Sequence, residues 1–448
     1  MASVIAVIKH VFRIGVVLIG ISGGALAAAT QNDPFVGSIE AALQKNPRTA
    51  AAEAQLRAAM ERWPQSWALL KPTIDLNASL SHNRTRWNSG VVSTDPEIVG
   101  LSLTQAIFNQ KALIGLRQAR PYVASFEQDL QAAIQGVFLD AASATIDVMQ
   151  GAEVVSLARN NRELLQHHLE ATRSRYKVGE ITRTDVSQAE SRLAAAQANL
   201  VRSENTLAVA RARFQEVTGV KVPEGLRLPG FREDLQRDSL VDLQMRAVER
   251  PDFMAARMRL QVAEEDVELK RAGHMPTVSL SAKTSRTRGE ELAGTTDPLS
   301  KYSVDLGLTM PIYAGGMTVS QTAESLARKE ATAADLERLR LQVVREVEAA
   351  LLDLHSARAA HTALETGLKA ANDALAGVEK EYQVGTRTAL DLLDARNEAF
   401  TAQTELAKSR FGLVMAGFKL LHAMGRLNLD ALTWETGQTR EPAPKKSR

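Results

Sequence analysis

Apolar and polar residues alternate strictly along four short stretches of the chain. In the first, Ile74, Leu76, Ala78 and Leu80 are separated by single polar residues. A period of two places successive side chains on opposite faces of a β-strand. The pattern predicts four strands of about ten residues, each with one apolar and one polar face, at about 72–82, 98–107, 276–285 and 302–311. This length suits a strand tilted across a membrane.

The segments that follow the strands have the composition of long helices. One predicted helix runs from Phe108 to about Lys177, and its counterpart runs from Met317 to about Gln383. At 1.5 Å per residue each would be about 100 Å long. Shorter helices are predicted to lead into the strands at 37–62 and 240–272, and polar loops are predicted within each strand pair at 83–97 and 286–300.

After each long helix the chain turns and returns with a heptad pattern. Apolar or small residues recur at steps of three and four, and the spacing predicts a left-handed coiled coil against the preceding helix. The positions in the first copy are Val186, Ala189, Leu193, Ala196, Leu200, Ser203, Leu207, Ala210, Phe214 and Val217. Those in the second are Leu392, Ala395, Ala399, Ala402, Leu406, Ser409, Leu413, Ala416, Leu420 and Ala423.

The chain therefore contains the same unit twice. Lys71-Pro-Thr-Ile-Asp-Leu76 corresponds to Met275-Pro-Thr-Val-Ser-Leu280, and Tyr176-x-Val-Gly179 corresponds to Tyr382-x-Val-Gly385. A long duplication with few insertions indicates one structural unit used twice. We divide the chain into a first repeat, a linker, a second repeat and a tail predicted to be disordered, at 29–219, 220–239, 240–436 and 437–448.

The N-terminal segment has the features of an export signal. Lys9 and Arg13 precede an apolar stretch at 14–21, and small residues follow at 23–29. This order predicts a secretory signal peptide over 1–28. The alternative is a membrane anchor, but the apolar stretch is shorter than the roughly 20 residues of a span. We expect no other segment to cross a bilayer as a helix.

Composition excludes several classes of function. The 448 residues include no cysteine, which excludes disulfides, thiol chemistry and an acylated N-terminal cysteine. The net charge of +2 gives no indication of nucleic-acid binding. His167 and His168 are adjacent, and His355 and His361 are six residues apart, so neither pair has the spacing of helical metal ligands. We expect no enzyme, no metal and no cofactor.

Four strands cannot close a barrel by themselves. Lipid cannot satisfy open strand edges, and natural barrels begin at about eight strands. The pattern therefore predicts that two or three chains share one barrel, with the helices continuing it as a tube. A soluble periplasmic coiled-coil adaptor or scaffold is the rival interpretation. It accounts for the heptads and the signal peptide but not for strands at matched positions in both copies.

Two motifs and the duplication point to a known family. The motifs are Leu308-Thr-Met-Pro-Ile-Tyr-Ala-Gly-Gly316 and Tyr382-Gln-Val-Gly-Thr-Arg-Thr-Ala-Leu-Asp-Leu-Leu-Asp-Ala395. In these the chain resembles the TolC family of outer-membrane efflux and secretion channels. The resemblance implies a mainly α fold: a homotrimer whose twelve-stranded barrel lies in the outer membrane of a Gram-negative bacterium, continued by a periplasmic coiled-coil tunnel.

The same resemblance implies partners and a type of cargo. It implies docking to a periplasmic adaptor protein and an inner-membrane transporter, and export of small molecules, proteins or both. The sequence does not indicate which cargo is exported or which transporter is served.

The two turns farthest from the strands are the candidate functional site. Gly179 and Gly385 form the turns, and each turn is followed by a threonine with an acid three residues later, the spacing of a helix capping box. The copies also differ: Arg387 takes the place of Ile181 of the first copy, and Asp394 takes the place of Gln188. Capping requires neither residue.

The resemblance gives these differences a role. It implies that the second-copy coil lies inside the tunnel and closes it at the tip. The residues implied to form the latch are Tyr382, Arg387, Thr184 and Asp185. Asp391 and Asp394 are implied to form acidic rings at the entrance, where three chains would bring six carboxylates together and raise the pKa of each by repulsion.

Overall fold

The computed structural model describes residues 33–87, 90–229, 248–289 and 298–429, and most of these residues are helical. The predicted signal peptide, the predicted C-terminal tail and residues 230–239 of the predicted linker lie outside the described residues. So do residues 240–247 of the helix predicted over 240–272 and residues 290–297 of the loop predicted at 286–300.

The first repeat contains five helices and four strands among its described residues. In chain order they are α1 (Pro34–Lys45), α2 (Pro47–Met60), α3 (Arg62–Ala68), β1 (Thr73–Leu80), β2 (Asn83–Trp87), β3 (Gly90–Thr94), β4 (Glu97–Asn109), α4 (Gln110–Lys177) and α5 (Arg183–Thr218). The single helix predicted over 37–62 is wrong, because the chain breaks at Asn46. This residue precedes a proline and is extended, and its side chain accepts a hydrogen bond from Arg48 N at 2.9 Å as the cap of α2.

The second repeat also runs from a leading helix through strands to a long helix and a returning helix. Its elements are α6 (Pro251–Arg271), a 3₁₀ turn (Ala272–His274), β5 (Thr277–Arg288), β6 (Leu299–Thr309), α7 (Met317–Gln383) and α8 (Ala389–Ala423). The long helices have 68 and 67 residues, as the pattern predicts, and α4 continues through Pro121 without a break. The returning helices have 36 and 35 residues.

The four predicted strands form one antiparallel sheet in the order β1-β4-β5-β6. The polar loop predicted at 83–97 is wrong in part, because β2 and β3 pair there as a two-stranded ribbon. Ser81 N donates to Pro96 O at 3.1 Å, so the ribbon prolongs the β1–β4 hairpin without a change of register.

The register aligns the apolar positions of all four strands on one face. Leu76 is opposite Leu101, Leu101 is opposite Thr284, and Thr284 is opposite Tyr302. Directly opposed residues of antiparallel strands project to the same side. This face is uncovered in the single chain, where Leu76 is 69% exposed and Tyr302 is 79% exposed. The other face has polar residues, and among the described strands β1 and β6 each have one unpaired edge.

The large buried side chains lie near the middle of the long helices. The rings of Phe35 and Phe418 stack with centroids 6.1 Å apart, and the ring centroids of Phe138 and Phe418 are 6.5 Å apart. Val347 and Leu354 of α7 are fully buried in the same cluster. Farther from the sheet, the contact between α4 and α5 is made mainly by small seam residues, among which Ala189 and Ala196 are buried.

Arg250 fixes the start of α6 to this core. Its guanidinium contacts Asp252 at 2.6 Å and Glu346 at 2.7 Å, and it donates to the Ala423 carbonyl at 3.3 Å. Burial raises the pKa of Glu346, but the hydrogen bonds from Arg250 and Gln342 outweigh burial and leave the pKa below its ordinary value.

One described helix is long and apolar enough to cross a membrane by length and composition alone. It is α4, and 44% of its most apolar window is buried inside the protein. The expectation that no segment beyond the signal peptide meets this criterion is therefore wrong. Core helices meet the same criterion, so it is weak evidence of a span.

Candidate functional site

The turns at the ends of α4 and α7 have the same backbone geometry. Gly179 and Gly385 have φ values of +83° and +82°, a region that residues with a side chain rarely adopt. Their N–H groups donate to the carbonyls of Tyr176 and Tyr382 at 3.0 and 3.1 Å. No atom of the part of the chain that the structure describes lies within 4 Å of a Cβ placed on either glycine, so the backbone angle and not space requires glycine.

Both returning helices begin with a complete capping box. In the first copy Thr182 N donates to the Asp185 carboxylate at 2.9 Å, and Asp185 N donates to the threonine hydroxyl at 3.3 Å. Thr388 and Asp391 repeat the arrangement at 3.0 and 3.2 Å. The capping interpretation of the spacing is confirmed. The backbone and side-chain hydrogen bonds from Thr388, with the charge of Arg387, hold the pKa of Asp391 below its ordinary value.

Two contacts join the coil of the first repeat to the coil of the second near the tip. Arg175 of α4 donates to the Tyr382 hydroxyl at 2.9 Å, and its guanidinium carbon lies 5.6 Å from the centre of the same ring. Arg192 of α5 pairs with Asp394 of α8 at 2.6 Å. Each contact links a basic side chain on the first-repeat coil to an acceptor on the second-repeat coil.

The latch residues implied by the resemblance are not joined to one another within one chain. Tyr382 contacts Arg175 and makes no hydrogen bond to Thr184 or Asp185, because the longer arginine reaches it first and Asp185 is occupied by its own capping box. Arg387 folds back across its turn and pairs with Glu381 at 2.8 Å.

The acidic residues expected at the entrance differ in their surroundings. Asp391 accepts hydrogen bonds from Thr388 in its capping box, whereas the Asp394 side chain is 56% exposed and forms an ion pair with Arg192. Within the single chain, hydrogen bonding lowers the pKa of Asp391. The increase expected from mutual repulsion would require the carboxylates of neighbouring chains.

His168 of α4 is partly buried close to these contacts. Its Nε2 atom has no hydrogen-bond partner among the described residues. Burial lowers the pKa of His168, and the positive charges of Arg396 and Arg175 lower it further.

Neither Arg175 nor Arg192 is among the site residues predicted from the sequence. A signal for Arg175 was present, because the repeat places Arg175 opposite Glu381, so that the residue before the turn tyrosine has opposite charge in the two copies. Arg192 has no comparable signal, since many charged residues occupy exposed positions of these helices.

The tip can therefore hold the two coils together through exposed polar contacts while presenting carboxylates and apolar side chains to solvent. Val178 and Val384 occupy the same position in the two turns and are 71% and 75% exposed. Clustered carboxylates attract cations. The described residues contain no group of histidine and acidic side chains arranged for a metal ion.

Comparison with known proteins agrees with the duplication and with the fold. The profile of the outer membrane efflux protein family matches residues 38–220 and 243–426, one segment for each repeat. The outer membrane protein TolC of Escherichia coli strain K12 is 26% identical over 426 residues, which cover 92% of this chain and 86% of that protein. The outer membrane efflux protein BepC of Brucella suis is 27% identical over 415 residues, covering 92% and 89%.

A solved structure shows the same fold. The Campylobacter jejuni CmeC outer membrane channel superimposes with a TM-score of 0.78 at 15% sequence identity, over 88% of this chain and 86% of that one. The mainly α fold with four sheet strands and an internal repeat is confirmed, and a soluble adaptor or scaffold is excluded. The chain belongs to the outer membrane efflux protein family, and it is an export channel of the Gram-negative outer membrane whose helices extend into the periplasm.

Proposed function

We propose that three copies of this chain close one barrel of twelve strands and export cargo through it. The observation that carries the proposal is the sheet with two unpaired edges and one uncovered apolar face. In water both features are unfavourable, whereas in a membrane the face contacts lipid and only the edges remain to be satisfied.

Strand direction supports closure between copies. The strands β1, β4, β5 and β6 alternate in direction across the sheet. The free edge of β6 therefore meets the free edge of β1 from the next copy as an antiparallel pair. Three copies give twelve strands, an even number as in bacterial outer-membrane barrels.

The polar face then lines a water-filled passage, and the two coils of each chain continue it through the periplasm. Small molecules, proteins or both would pass along this tunnel. We propose that the chain acts only as a conduit and has no enzymatic activity, with a periplasmic adaptor docking to the helices and an inner-membrane transporter supplying cargo and energy.

We propose that the passage is gated where the coils turn. The contacts Arg175–Tyr382 and Arg192–Asp394 would hold the second-repeat coil against the first-repeat coil in the closed state. Arg387, Thr184 and Asp185 would complete the latch through contacts between neighbouring chains. The rings of Asp391 and Asp394 would line the entrance and favour cations.

Cross-linking between edge strands tests closure directly, because the chain has no cysteine of its own. Asn77→Cys on β1 is combined in turn with cysteine at Ser303 or Asp305 of β6, on the same polar face. Oxidation is expected to give a covalent trimer for at least one pair. The matched control pairs Asn77→Cys with Ser281→Cys on β5, which is not an edge strand, and should give no covalent trimer. Monomers alone with every β6 partner would refute the shared barrel.

A further inference from the structure

Two arginines continue the apolar face of β5 beyond its last apolar row. We propose that Arg286 and Arg288 form a binding site for the phosphate groups of a phosphorylated glycolipid, lipid A, in the outer leaflet. This inference rests on the proposed barrel, since that barrel turns the apolar face toward lipid.

The pairing register fixes the side on which these arginines lie. Arg286 is opposite Val99 of β4 and Ser300 of β6, and Arg288 is opposite Glu97 of β4. Directly opposed residues share a face, so both arginines project from the face that contains Val99. Successive rows on one face are about 6.6 Å apart along the strand.

The level of the arginines matches the membrane surface. The row before Arg286 contains Tyr302, an exposed aromatic residue of the kind that forms girdles at membrane interfaces. From Met310 to the row that contains Arg286 the chain covers about 33 Å along the strand direction, which at a tilt of about 40° spans the roughly 25 Å height of the apolar band of a barrel. The arginines therefore lie just outside the hydrocarbon, at the depth of lipid head groups.

The end of the sheet identifies the leaflet. β1 rises from α3 and β4 descends into α4, so the helices join the end opposite to Arg288. Since the helices extend into the periplasm, the arginines lie on the outer side. There the bilayer is formed by lipid A, whose glucosamine units carry phosphates.

The neighbouring charges leave the arginines available. Among the described residues neither Arg286 nor Arg288 forms an ion pair, although the acid Glu97 lies directly opposite Arg288. The next acid along the hairpin, Asp95, is already paired with His82 at 2.5 Å. Arg84 and Arg86 follow at alternate positions of the ribbon and add positive charge farther out. An arginine fork binds phosphate oxygens in pairs, which gives both affinity and geometry.

The experiment measures lipid retained by the purified full-length trimer in detergent. Diphosphorylated lipid A and its dephosphorylated form are added separately, and bound lipids per trimer are counted by native mass spectrometry. The unsubstituted protein is expected to retain the diphosphorylated lipid. Arg286→Gln with Arg288→Gln is expected to weaken retention about tenfold or more, as expected for lost charge-assisted hydrogen bonds.

The control variant removes the same charge from the opposite face. Lys283 and Lys301 lie on the polar face of β5 and β6 at nearly the same level. Lys283→Gln with Lys301→Gln is expected to retain the lipid as the unsubstituted protein does. Each arginine is also replaced singly. If the double variant does not assemble, the two single variants still test the site.

The outcomes separate this inference from the proposed function. Equal retention by the arginine variants, or equal binding of the dephosphorylated lipid, would overturn the phosphate site while channels still form in planar bilayers. Displacement by millimolar inorganic phosphate alone would identify a free-phosphate site instead and also overturn it. Failure of the unsubstituted protein to form trimeric channels would overturn both proposals.

Discussion

Separation of the two coils is the event that the tip contacts should control. Replacing Tyr382 by phenylalanine and Arg192 by glutamine removes the hydroxyl hydrogen bond to Arg175 and the ion pair to Asp394, while the aromatic ring beside Arg175 is kept. The Arg192 and Asp394 side chains are 41% and 56% exposed, so solvent screens their attraction. An exposed pair contributes about 0.2–1 kcal/mol.

Three copies acting together multiply this small term. Loss of the Arg192 pair in all three chains weakens closure by about 0.6–3 kcal/mol, a factor of about 3 to 150 in the opening equilibrium. Loss of the Tyr382 hydroxyl contact acts in the same direction. The free carboxylate of Asp394 adds repulsion at the entrance and favours opening further.

Single-channel conductance in planar bilayers measures the result. The double variant is expected to conduct more than the unsubstituted trimer at low salt. The difference should shrink as salt rises, because screening weakens the remaining charge interactions. Arg173→Gln is the matched control, since Arg173 pairs with Glu190 at 2.7 Å within the first-repeat coil. Intact trimers with unchanged conductance, or equal opening by Arg173→Gln, would show that these contacts do not hold the coils.

Three other predictions follow from buried or capping groups. The pKa of His168 is lowered in the folded state, so the neutral histidine is the stabilising form and its protonation should loosen the coils as pH falls below about 6.5. Hydrogen-exchange protection of the coils, compared at pH 7.5 and 5.5, should show this. His168→Gln should remove that pH dependence and His167→Gln, at an exposed position, should not. Arg250→Met should destabilise the fold by about 1–3 kcal/mol and lower the melting temperature, because the half-buried Glu346 loses its charge-assisted hydrogen bond. Thr388→Ala should cost about 1 kcal/mol of helix stability, seen as faster hydrogen exchange at the start of α8 with the trimer unchanged.

The regular elements could be predicted because their patterns are long. The heptads of α5 and α8 and the alternation of the four strands each depend on many positions. The helical composition of α4 likewise extends over many positions, and the helix continues through Pro121. Short local signals were less reliable. The break at Asn46 depends on one cap and one proline, and the β2–β3 ribbon occupies a segment whose polar composition resembles a loop.

The tip was predicted in position but not in its contacts. The turns and capping boxes are local, so Gly179 and Thr182 could be assigned from spacing alone. The contacts between coils depend on how two helix pairs lie against each other, which heptad positions do not specify for long exposed side chains. Arg175 therefore reaches Tyr382 from a position that the heptad pattern does not distinguish, and only the charge difference between the two repeats at that position points to it.

The aromatic cluster around Phe138 is packed far from the tip of the coils, so a small change of helix angle there moves the tip by a large distance. That level lies about 58 Å above the end of α4, counted as 39 residues at 1.5 Å each. If the helices below Phe138 tilted by about 5° relative to the sheet, the tip would move sideways by about 5 Å. If the tip is the proposed gate, a small repacking around the phenylalanines would change the width of the passage there.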